Sequence, residues 1–215
     1  MKRAVQFVAA ACLVLTFTGF AALAADDAKW EVRLRALNLR PADNSDPIPA
    51  LEVPADQITV NKKTFPEVDI SYFFTKNVAA ELVLTYPQSQ DVSVKGLGKI
   101  GSFKHLPPTL SVQYHFLPDG VFQPYVGVGV NYTIISDVDL AIDLGEGGIL
   151  RPDLEKSSLG WSVGAGFDVK VADKWFANFD VKKVKIGADV TLDGAKISHV
   201  DVDPLLISVG VGYRF

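Results

Sequence analysis

The chain has 215 residues, 48% hydrophobic and 21% charged, with 21 Lys and Arg against 25 Asp and Glu. An apolar fraction of that size excludes a disordered chain, and the acidic balance excludes a basic nucleic-acid footprint. The length allows one domain or two.

The first segment reads as an address. Lys2 and Arg3 form a positive start, Val5 to Leu23 is almost wholly apolar, and Ala22-Leu23-Ala24 is a small-residue cleavage signal. Residues 1–24 are therefore predicted to be a cleaved signal peptide, with 25–215 as the mature domain. Cys12, the single cysteine, lies inside the leader, so the mature chain crosses into an oxidising compartment without a disulfide. Without Lys2 and Arg3, 19 basic residues face 25 acidic ones, net −6. His105, His115 and His199 show no metal-binding spacing, so neither metal nor cofactor is expected. The longest uncharged stretch, Gly120 to Ser136, holds Gln123, Pro124, Gly127, Gly129 and Asn131 and is poor material for a spanning helix.

From there the period is two. Trp30–Leu39 begins with Trp30, Val32 and Leu34 against Glu31, Arg33 and Arg35. Phe65–Phe74 sets Val68, Ile70 and Tyr72 against Glu67, Asp69, Ser71 and Phe73, and Val78–Tyr86 sets Ala80, Leu82 and Leu84 against Glu81 and Val83. Pro108–Phe116 sets Leu110, Val112 and Tyr114 against Ser111, Gln113 and His115. In Val126–Ile134, valines alternate with Gly127, Gly129, Asn131 and Thr133. Ser158–Val171 alternates without a break over 14 residues. Trp175–Lys182 and Leu205–Phe215 complete eight strands.

Three connections are short (75–77, 117–120, 172–174) and four are long (about 40–63, 87–104, 135–157, 183–202), in strict alternation. One end of the sheet is trimmed and the other elaborated, as in outer-membrane barrels. Alternation alone suits a secreted sandwich equally well. Aromatics near strand ends favour a membrane barrel: Trp30, Tyr72, Phe74, Tyr86, Tyr114, Phe116, Tyr125, Trp175, Tyr213 and Phe215 read as an interfacial girdle. Glycines on the polar face suit a narrow interior. The fold class is thus all-β, an eight-stranded antiparallel transmembrane barrel. Tyr213 and Phe215, ending the last strand, resemble the assembly signal of bacterial outer-membrane barrels and make the barrel-assembly machinery an expected partner.

By parity Glu31, Arg33, Arg35, Glu67, Asp69, Glu81, Asp168, Lys170, Asp180, Lys182 and Arg214 point inward, where they are expected to pair and fill much of the lumen. Pro107 and Pro108 donate no ladder hydrogen bonds and mark either a candidate lateral opening or simply a strand start. Apolar residues in the long connections (Val92, Val94, Leu97, Ile100 and Phe103; Val138, Leu140, Ile142 and Leu144) either collect apolar solutes or extend the hairpins beyond the bilayer and pack on one another. The acidic third connection, with Asp137, Asp139, Asp143, Glu146, Asp153 and Glu155, reads as a solvated loop before a divalent-cation bridge to lipopolysaccharide. Gly160-Trp161-Ser162-Val163-Gly164 matches the G-x-S-x-G of hydrolases, but alternation runs straight through Ser162 where an elbow needs a sharp turn, so no catalytic residue is assigned. Asn131-Tyr132-Thr133 matches a glycosylation sequon by pattern only.

Three segments, His105-Leu106-Pro107-Pro108-Thr109-Leu110, Gln123 to Thr133, and Val202-Asp203-Pro204 leading to Gly212-Tyr213-Arg214-Phe215, together resemble the OmpW family of outer-membrane proteins. The resemblance implies a narrow, partly apolar channel for small hydrophobic molecules, with lateral release into the bilayer. It also implies a constriction at Val83 and Lys182; the lysine departs from the aromatic expected there and could pair with Asp180 or Glu81. A monomer in contact with outer-membrane lipid and lipopolysaccharide is expected. The alternatives are a structural or receptor barrel with a plugged lumen whose loops bind partners, and a lipid enzyme using Ser162.

Overall fold

The structure is a computed structural model that describes residues 29–48, 53–143, 146 and 148–215. The leader and Cys12 lie outside the described residues, as does Leu144. In chain order the strands are β1 (Trp30–Arg40), β2 (Asn44–Ser45), β3 (Ile58–Val60), β4 (Lys63–Phe73), β5 (Val78–Leu84), β6 (Gln88–Val94), β7 (Gly98–Leu106), β8 (Thr109–His115) and β9 (Phe122–Leu140). They continue as β10 (Ile142–Asp143), β11 (Ile149–Leu150), β12 (Asp153–Leu154), β13 (Ser157–Lys170), β14 (Trp175–Val184), β15 (Gly187–Leu192), β16 (Ala195–Asp201) and β17 (Leu205–Arg214).

Eight of them, β1, β4, β5, β8, β9, β13, β14 and β17, form one antiparallel ring, closed by the pairing of β9 with β13. Closure leaves no free edge along the ladders, so the backbone groups they join pair without water. The register obeys the parity of the sequence. On β1, Glu31, Arg33 and Arg35 are buried inside while Leu34, 56% exposed, faces out. Val128, Val130, Leu159, Trp161, Val209 and Val211 form part of the same outer apolar band. Aromatic contacts at the short-turn end build a belt: Trp30–Tyr72 at 4.9 Å, Tyr114–Phe116 at 5.2 Å and Trp175–Tyr213 at 4.9 Å between ring centroids. Such rings sit at the headgroup level of a bilayer. The last residue joins the first strand: Phe215 N donates to Trp30 O (2.8 Å) and Trp30 N to Phe215 O (2.9 Å).

The four long connections extend the hairpins beyond the barrel wall, with their apolar residues packed on one another. They fold into sheet that stands above the barrel. The hairpin β6–β7 extends the wall, pairing β7 with the upper half of β9 and β6 with β3. A second sheet, ordered β12–β15–β16–β2, lies with it across an apolar core containing Val60, Val92, Phe103, Leu140, Val190 and Val200. These segments alternate too, as Gln88, Gln90, Val92 and Val94 are all buried on one face. The β15–β16 hairpin turns on Asp193-Gly194, both at positive φ (51° and 82°), as a two-residue hairpin requires.

Two individual placements also change. Tyr125, expected in the girdle, is 2% exposed and points into the lumen, because it shares the parity of Gly127 and Gly129. Lys170, expected inside, sits at the end of β13 with an exposed side chain 3.8 Å from Asp173.

Candidate functional site

Three levels stack along the barrel axis. The lowest is ionic. Arg33 contacts Glu31 (2.7 Å), Asp168 (2.8 Å) and Glu81 (3.2 Å), and its Nη1 donates to Ser71 Oγ (3.1 Å). Arg35 Nε donates to Glu67 (2.9 Å) and makes a close ionic contact with Asp69 (2.6 Å). Tyr125 Oη donates to Asp180 (2.9 Å), and Asn178 Nδ2 donates to Tyr125 Oη (3.1 Å) and Asp168 (2.8 Å). At the short-turn mouth the Arg214 guanidinium lies 4.4 Å from both the Phe73 and Phe176 rings and pairs with Glu31 (2.5 Å). Glycines make room for these long side chains: a Cβ on Gly166 would stand 2.5 Å from Tyr125 Oη. Of the expected lumen residues, Glu31, Arg33, Arg35, Glu81, Asp180 and Arg214 all belong to this network. Lys182 joins it through Glu81 (2.9 Å) and not through Asp180.

Above it the inward positions turn apolar. Leu37, Leu39 and Phe65 pack together with Leu206, and Val83 and Val184 are buried. Val83 is also the last level at which β5 and β8 pair, opposite Thr109. The ladder resumes only at Gln88–His105, between β6 and β7. The β4–β5 ladder likewise ends at Val68–Leu84. Residues 85–87 therefore cross the wall without ladder partners on either side among the described residues, opposite Pro107 and Pro108. Prolines explain half of this, having no N–H to offer.

Asn131 on β9 spans the far side of the break. Its Nδ2 donates to Pro107 O (3.3 Å), Pro108 O (3.2 Å) and Thr109 Oγ1 (2.9 Å), and its Oδ1 accepts from Thr133 Oγ1 (2.7 Å). Tyr132 N donates to Pro108 O (3.1 Å). Parity placed Asn131 inside; nothing in the sequence announced that it holds the prolines.

The third level is an apolar cavity with an open mouth, enclosed by the two upper sheets. Its wall is nearly all aliphatic and includes Val92, Val94, Phe103, Leu140 and Ile142 of the long connections, whereas Leu97 is exposed on the β6–β7 turn. Gln90, His105 and Thr133 supply polar groups at its barrel-facing end. His105 lies on the extension above the barrel. Burial, with Lys63 nearby, pushes its imidazole down to about 4, so it is neutral at pH 7.

Comparison with known proteins agrees with this geometry. The sequence profile of the OmpW family matches residues 27–215. The chain belongs to the OmpW family. This OmpW-family barrel is 36% identical over 199 residues to "Uncharacterized outer-membrane protein y4mB" of Sinorhizobium fredii, covering 90% of this chain and 82% of that one. It is 32% identical to "Outer membrane protein W" of Vibrio cholerae, covering 93% and 99%. The crystal structure of OprG from Pseudomonas aeruginosa superposes with a TM-score of 0.74 at 30% identity, over 87% of this chain and 96% of that one. The protein is an outer-membrane β-barrel of the Gram-negative type, its outer band in contact with lipid. Its relatives are outer-membrane barrels, and Ser162 sits within unbroken strand, paired with Gly129 and Val184. No cluster of metal-ligating side chains occurs among the described residues.

Proposed function

We propose that this barrel is a passive conduit that collects small hydrophobic molecules in its upper cavity and releases them sideways into the bilayer at Pro107–Pro108. One observation carries the reading: the aliphatic cavity has Gln90 and His105 as its lowest lining residues on β6 and β7, just above the break in the wall, while the lumen below is filled by buried ion pairs. Apolar solutes are excluded from the charged lumen by the cost of leaving its ions unpaired or stripping them further. The wall break offers lipid instead, at no such cost. Val83 and Lys182 form the boundary: Val83 closes the apolar level, and the Lys182–Glu81 pair caps the ionic one.

The same reading takes residues 1–24 as the cleaved leader, and Tyr213 and Phe215 as the signal for the assembly machinery. It takes the barrel to work as a monomer among lipopolysaccharide, with no cofactor. The filled lumen also supports a closed receptor barrel whose upper sheets bind partners. Vesicles with a lipopolysaccharide outer leaflet separate the two. Protein-containing vesicles should take up an apolar fluorescent probe faster than empty ones. The double variant Pro107→Thr/Pro108→Val, which returns one backbone donor on the side of the break and one toward β9, should slow uptake. Rates equal to those of empty vesicles would overturn the conduit and leave the receptor.

A further inference from the structure

The cavity is apolar except at one place, and that place adjoins the wall break. Gln90 is 1% exposed and Gln88 fully buried, yet the Oε1 of each has no hydrogen-bond partner among the described residues. Gln90 Nε2 lies 3.3 Å from His105 Nε2, and His105 is itself 5% exposed. A buried amide oxygen left without a partner costs about 1–3 kcal/mol. Along β6 the cavity is lined by Gln90, Val92 and Val94, so valine at position 90 would have avoided that cost. A hydrogen-bonding ligand removes it.

We infer that the Gln90–His105 pair receives the single polar head of an amphiphile, and that the preferred solutes are neutral molecules with one hydroxyl on an apolar body rather than bare hydrocarbons or carboxylates. The inference rests on the hydrophobic-conduit reading and specifies the solute class of the same cavity. A hydroxyl both donates and accepts, so it satisfies the amide and the imidazole in either amide orientation. The head would lie beside the break, since Gln90 and His105 are the lowest cavity positions on β6 and β7 and the ladder stops just beneath them. A carboxylate is disfavoured because carrying its charge out of water into an aliphatic cavity costs far more than carrying a hydroxyl, and the neutral imidazole of His105 supplies no counter-charge at pH 7.

The test uses the full barrel in nanodiscs, loaded with an environment-sensitive apolar dye and titrated with 1-octanol, n-octane or octanoate. Each titration is corrected against empty nanodiscs. Replacing Gln90 by Met keeps the length of the side chain and removes the amide; Gln90→Met/His105→Leu removes both heads. The ratio of octanol to octane affinity should fall about fivefold in Gln90→Met, the worth of one hydrogen bond, with octane unchanged or improved. Octanoate should bind more weakly than octanol. An unchanged ratio in variants that keep heat-modifiable migration would overturn the inference, as would octanoate outcompeting octanol. Dye that binds no more than to empty nanodiscs would instead overturn the conduit reading beneath it.

Discussion

Lys182 Nζ stands 2.9 Å from Glu81 Oε1 across the lumen, joining residues 101 positions apart. Both side chains are buried, so neither charge has water to fall back on. Removing Lys182 leaves Glu81 its longer contact with Arg33 (3.2 Å), so the cost is only part of the roughly 3–5 kcal/mol of fully stranding a buried charge. Lys182→Met should therefore lower the midpoint of heat-induced mobility change on gels more than Lys182→Met/Glu81→Gln, which strands no carboxylate there. Arg33, 3.2 Å from Glu81, would retain Asp168 and Glu31 in the double variant.

Neighbouring positions on β9 should be sensitive to different substitutions. Val128 is 63% exposed on the lipid face, and Val128→Arg should cost about 2–4 kcal/mol by placing a charge in hydrocarbon. Gly129 faces inward, and a Cβ there would stand 2.5 Å from Leu110 O and 2.6 Å from Ser111 Oγ. Gly129→Ala should destabilise by overlap, whereas Val128→Ala should be mild. Denaturant titration in bilayers reads both; a tolerated Gly129→Ala would contradict the register.

Asn131 ties β9 to the carbonyls of Pro107 and Pro108 beside the wall break. Asn131→Leu removes the donor to both proline carbonyls and leaves the backbone bond from Tyr132 N. Losing a neutral hydrogen bond costs about 1 kcal/mol, so the Tyr132 amide should exchange about five- to tenfold faster, with amides near the short turns unchanged.

The cavity floor should loosen in acid. The folded His105 is held near 4, below the ordinary imidazole value of 6.5. An opened β6–β7 segment therefore binds a proton that the closed one refuses. Stability of the segment rises with pH between about 4 and 6.5 and is level above that window. Amide exchange in β6–β7, corrected for intrinsic rates, should be faster at pH 5 than at pH 7, and His105→Gln should flatten the difference. Lys63 is the charge to control for.

The terminal aromatic serves two readings that one substitution pair separates. Phe215 closes the ring through its backbone and stacks on Tyr213 at 5.9 Å. If its ring is also an assembly signal, Phe215→Ala should reduce the fraction of barrel in the outer membrane while refolding in detergent stays near normal, and Phe215→Trp should restore it. Equal losses in both assays would leave only the structural role.

The sequence by itself determined the strands, their inward and outward faces and the alternation of short turns with long connections. A period of two survives translation into space without knowledge of any partner, since successive side chains of a strand must point to opposite faces. That is why the inward placement of Glu31, Arg33 and Lys182 was legible, and why Lys182 could be assigned a carboxylate partner though not which one. Only the tertiary structure decided that Glu81 is that partner, that the partner of inward-facing Tyr125 is Asp180, and that the long connections close over an aliphatic cavity. These depend on closure of the ring, which brings β5 opposite β14 and β9 against β13. Contacts across a lumen are set by strand tilt and stagger, which leave no trace in local periodicity. Pro107 and Pro108 stand between the two cases. Their missing donors were visible in the chain, but the break is a property of two ladders stopping at one level, and that exists only in the assembled wall.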